Sequence, residues 1–98
     1  MNNKMRRKIE ELINFNLEEI NMLEVNDVKN ELKEKFDIFY ILSLIMKRME
    51  GKYSNKDICD TNISSLRALK YAAISITANA IDIAALAQKL IDCGGGEE

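Results

Sequence analysis

The sequence predicts an all-α fold: a three-helix chain with a long C-terminal helix that forms an oligomeric helical bundle. Three observations predict it. Apolar residues recur at spacings of three and four over almost the whole chain, and the period-two alternation of a half-buried strand is absent. There is no proline, and the four glycines stand at positions 51 and 94–96, so the periodic segments run without interruption. The apolar positions of the second and third segments also exceed what three helices of a 98-residue chain can cover among themselves, and surplus apolar surface is normally an interface.

The first helix is expected from about Asn3 to Glu24. Ile9, Leu12, Ile13, Leu17, Ile20 and Leu23 form one stripe, opposed by Glu10, Glu11, Asn14, Glu18 and Asn21. Lys4, Arg6, Arg7 and Lys8 occupy its first turns, where the helix dipole favours acids. Arg6–Glu10 and Arg7–Glu11 pairs at i, i+4 offset this weakly. The stretch "EVND" (24–27) supplies a break, with Asn26 or Asp27 as N-cap of the second helix. That helix is expected to end at Glu50, with Gly51 as a left-handed residue after it. From Ile38 to Met46 it is apolar on all sides, which calls for neighbours on more than one face.

"GKYSNKDICDTN" (51–62) is the connector, with Ser54-x-x-Asp57 as a capping box and Asn62 as the next cap. The third helix is placed at Ile63 to Asp92, about 45 Å at 1.5 Å per residue. One helical domain over 1–93 and a disordered 94–98 tail complete the organisation.

On the third helix, Leu66, Leu69, Ala73, Ile76, Ala80, Ile83, Ala87 and Leu90 follow one another at alternating steps of three and four. Alternation of small and large residues in a heptad seam lets a partner helix approach closely, so this seam is expected to build a homodimer or higher oligomer. Tyr71, Ser75, Asn79 and Asp82 stand one above another on another side. A solvated face is the plain reading of this row. A binding surface for a partner or small ligand, with Lys4, Arg6 and Arg7 as further contacts, is the functional one.

Composition narrows the chemistry. Without histidine the chain cannot build a Ser-His-Asp or Cys-His nucleophile or a two-histidine zinc helix. Cys59 and Cys93 lie far apart and match no zinc or redox spacing, so reduced thiols of a cytoplasmic protein are expected. Sixteen acids against fourteen bases leave a net charge of −2, which gives no general reason to bind nucleic acid. The longest nearly apolar run, "IFYILSLIM" (38–46), is shorter than the ~20 residues of a membrane span. The 72–87 stretch is interrupted by Asn79 and Asp82, so no membrane partner is expected either.

The only metal chemistry open to this composition is carboxylate-held Mg2+ or Mn2+. Glu34 and Asp37 share a helical face just before the apolar run, and "ELKEKFDIFYILSL" resembles the corresponding helix of the MazG-type nucleotide pyrophosphohydrolases. The resemblance implies an all-α enzyme whose site lies at a helical dimer interface. Glu18 or Glu19, Glu34 and Asp37 would then hold the Mg2+ that activates water against a nucleoside triphosphate. The family's earlier Glu-x-x-Glu falls on "LEEINMLE" (17–24), where Asn21 or Met22 occupies the second ligand position. The favoured expectation is a different one. It is a small helical interaction protein without a cofactor, a regulator or inhibitor of the kind phages encode, that occludes a larger partner protein or sequesters a small ligand.

Overall fold

The computed structural model describes residues 2–53 and 63–94. Over these the chain is all-α: α1 spans Asn3–Ile20, α2 Val25–Tyr53 and α3 Ile63–Asp92. The expected capping box at Ser54 and Asp57, the Asn62 cap, Cys59 and the 95–98 tail lie outside the described residues.

α1 begins at Asn2, which is extended and whose side-chain carbonyl accepts the Met5 N–H at 2.8 Å. That bond satisfies one of the N–H groups that the first turn leaves without a partner. The helix ends at Ile20, earlier than the apolar stripe suggests. Met22 and Leu23 donate to carbonyls only three residues back, Glu19 at 3.2 Å and Ile20 at 2.9 Å, so the chain tightens into a turn there. Leu23 continues the stripe without continuing the helix, and it is half-buried under the turn.

α2 starts at Val25, and the Val28 N–H donates to Glu24 O at 3.0 Å. Glu24 therefore takes the cap position expected of Asn26 or Asp27. Asp27 instead lies in the first turn, where a negative charge suits the positive end of the helix. Gly51 does not end α2: the helix runs through it to Tyr53. Among the described residues the left-handed glycine is Gly94, φ 90°. Its N–H donates to Ile91 O at 3.0 Å and closes α3 where the sequence places its end.

α3 is the central helix. α1 and α2 both pack on it and touch each other far less. Asn16 meets Asp82 and Lys89 reaches Asn21 O, so α1 runs parallel to α3. Glu31 lies by Leu86, Lys35 by Asn79 and Asp82, and Phe39 by Ile76, so α2 runs antiparallel to it. The molecule measures 51 × 29 × 24 Å. α1, with 18 residues, is about 27 Å long, so it backs only part of the hairpin formed by the longer α2 and α3.

The α2–α3 hairpin is an antiparallel coiled coil. Val28, Leu32, Lys35, Phe39, Leu42, Met46 and Met49 form the buried or half-buried stripe of α2. On α3 the stripe is Ser65, Leu69, Ala72, Ile76, Asn79, Ile83, Leu86 and Leu90. Both follow steps of four and three, the spacing of a coiled-coil seam. The larger half of the anticipated seam, Leu69, Ile76, Ile83 and Leu90, does face α2. The smaller half is displaced by one residue, because Ala72, Asn79 and Leu86 point at α2 in place of Ala73, Ala80 and Ala87. Ala73 and Ala87 are half-buried, while Ala80 and Leu66 are exposed.

Candidate interaction surface

The row Tyr71, Ser75, Asn79 and Asp82 does not form one wet face. Tyr71 and Ser75 are exposed, with the Lys70 ammonium 5.8 Å from the Tyr71 ring. Asn79 is 6% exposed and its amide donates to Lys35 O at 3.0 Å. The physical reason is helical drift. Each step of four residues turns the side chain by about 40°, so two such steps carry the row from the outside into the α2 seam. An amide in a coiled-coil layer fixes register, because any other alignment leaves it buried without an acceptor.

Asp82 is half-buried at the point where the three helices meet. It accepts the Asn16 side-chain N–H at 2.8 Å and pairs with the Lys35 ammonium at 3.2 Å. Its oxygens are occupied by partners from both neighbouring helices, which makes Asp82 a clamp within the fold and leaves it little capacity for a ligand. Asn16 carries the α1 side of this clamp. The sequence offers one signal for it: a polar residue on the inner face of α1, three after Ile13 and four before Ile20.

Beside the clamp an open groove of about 540 Å³ runs between α1 and α3. Leu12 and Asn16 line it from α1, and Ala73, Ile74, Thr77, Ala78, Ile81 and Asp82 from α3. The Thr77 hydroxyl is satisfied by Ala73 O at 2.8 Å, so the groove is apolar apart from its Asn16–Asp82 end. Small residues flanked by Leu and Ile give a shape that accepts the ridge of an apolar helix. A second recess of about 330 Å³ shares Thr77 and Ile81 with this groove and is otherwise lined by Ala80, Ala84 and Ile76, with Ile9, Ile13 and Phe39. Ala73 and Ala80 of the anticipated seam thus keep open space beside them.

Lys4, Arg6, Arg7 and Lys8 are all exposed on α1. Arg6 pairs with Glu10 at 3.4 Å, whereas among the described residues Arg7 and Glu11 do not pair with each other. Glu18, Glu19, Glu34 and Asp37 are exposed as well, and among the described residues no three carboxylates or cysteines converge on a metal-sized site. Cys93 is a free, exposed thiol. Among the described residues α3 alone is long and apolar enough to cross a membrane, with a mean hydropathy of 1.3 over its best window. In the fold that window includes Asn79 and Asp82, bonded to α1 and α2. No family model, curated protein or solved structure matches the chain.

Proposed function

We propose that the protein is a small helical interaction module, a regulator or inhibitor that acts by covering part of a larger protein. One observation carries this reading. Val28, Ala85 and Leu86 are the only fully buried apolar residues among those described, while Phe36, Tyr40, Ile41, Leu44, Tyr71 and Ile74 each keep half or more of their surface exposed. A chain this apolar that leaves its large side chains outside has surface suited to another molecule. The α1–α3 groove is open and includes Ala73, Thr77 and Ala78 in its lining, so an apolar helix of the partner fits it better than an enclosed small ligand does.

The test is capture of a protein from the source cell by wild-type chain, repeated with Ile74→Glu and Ala78→Arg. Both positions are exposed, so helicity by circular dichroism stays at the wild-type level. Loss of the captured protein in both variants is the expected result; unchanged capture, or no captured protein, overturns the proposal. In parallel, incubation with mixed nucleoside triphosphates and Mg2+ is expected to release no pyrophosphate. Release that vanishes in Asp37→Ala would replace the proposal with a hydrolase.

A further inference from the structure

The exposed edge of α1 carries its own seam. Met5, Lys8, Leu12, Phe15 and Glu19 follow at steps of three and four, along the flank beside the face that packs on α3. The apolar members are all open to solvent: Met5 56%, Leu12 50% and Phe15 65% exposed. Lys8, Glu11, Leu12 and Phe15 line a shallow recess of about 440 Å³ on this edge. Nothing within the described chain covers it.

The charges along α1 are arranged against the helix itself. Its first turn holds no acid, its last turn holds no base, and Lys4, Arg6, Arg7 and Lys8 precede Glu10, Glu11, Glu18 and Glu19. Such an order opposes the dipole and costs the isolated helix stability. It is the order that an antiparallel copy of the same helix neutralises. Turning α1 about a two-fold axis between Leu12 and Phe15 sets Leu12 against Phe15 of a second copy and Lys8 against Glu19. Among the described residues neither Lys8 nor Glu19 has an ion-pair partner. Both copies contribute the same patch, as a two-fold dimer requires.

We infer that α1 is a self-association surface: two copies of this chain pair through antiparallel α1 helices, centred on Leu12 and Phe15 and flanked by two Lys8–Glu19 ion pairs. This goes beyond the partner-binding reading and does not depend on it. Leu12 borders both surfaces, whereas Lys8 lies on the outer edge of α1, away from the groove.

Sedimentation equilibrium of the full chain at micromolar concentration tests the pairing. Wild type is expected to be a dimer. Lys8→Glu and Glu19→Lys each place like charges together twice and weaken dimerisation about tenfold, and the double variant Lys8→Glu/Glu19→Lys restores it. Phe15→Glu, at an exposed position, gives a helical monomer. A monomeric wild type, indifference to single charge reversal, or failure of the double variant to recover overturns the inference.

Discussion

Near the α1–α2 turn, Val28, Ala85 and Leu86 are sealed and Asn79 is held by a backbone carbonyl. Toward Tyr53 and Ile63 the same two long helices leave Tyr40, Ile41, Leu44, Ile45, Ile63 and Tyr71 facing out. Sequence character does not explain the contrast, since α2 is more apolar at its open end than at its closed one. The third helix does. Two helices in contact bury one stripe each, and a second stripe is covered only where another helix lies alongside. At the closed end the last turns of α1 supply that cover, through Asn16, Ile20 and the Asn21 carbonyl. The apolar surplus at the open end is therefore surface that the described residues leave uncovered.

The largest effect expected from this contrast is at Leu86. Truncation to alanine removes a fully enclosed side chain and leaves a cavity, which costs about 3 kcal/mol in urea unfolding. Leu44→Ala, at a site 52% exposed, costs less than about 1 kcal/mol. Equal losses at the two sites would mean that the open end is covered in solution, and the concentration dependence of the Leu44 value would then identify self-association.

Asn79 comes next. Asn79→Ala gives up the bond to Lys35 O and loses about 1–2 kcal/mol. Asn79→Leu recovers that stability but removes the restriction on register, so extra species are expected in sedimentation or as doubled amide signals in NMR. A single species of unchanged spectrum in Asn79→Leu would show that the α1 clamp through Asp82 is enough to set the alignment.

Asn79 also marks how far the sequence could be read. The helices and the end of α3 were legible, because periodicity of three and four, unbroken by proline, has one structural solution and Gly94 stops the last helix. Which face of α3 packs on α2 within the chain was not. Two heptad seams on that helix share Leu69, Ile76, Ile83 and Leu90 and differ by one residue at the alternate positions. The one containing Ala73, Ala80 and Ala87 is free of polar residues, while the one that faces α2 contains Ser65 and Asn79. Apolarity favours the first; what decides is where Leu86 and Val28 sink, which depends on α1 and α2 together. The end of α1 was misplaced for a related reason: Leu23 keeps the helical period in a stretch whose backbone has already turned. Of the candidate site, Tyr71 and Ser75 lie outside as the row suggests. Asp82 and Asn16 became recognisable as a clamp only once three helices were brought to one point.

The smallest expected effect is a gain, and it separates the two ends most cleanly. Gly51 sits inside α2 at the open end, without the left-handed backbone that would require glycine, and an added Cβ would meet nothing within 4 Å. A helical glycine in that setting costs roughly 0.5–1 kcal/mol relative to alanine, through backbone entropy of the unfolded chain. Gly51→Ala should recover about that amount. If the open end frays independently of the closed one, the gain appears as slower hydrogen exchange at amides of residues 44–50, while exchange at Val28 and Leu86 and the urea midpoint move little. If the hairpin instead melts as one unit, all of these shift together by the same free energy. The first outcome makes the uncovered half of the hairpin a locally opening segment that a bound partner would order; the second makes it a rigid platform already shaped for one.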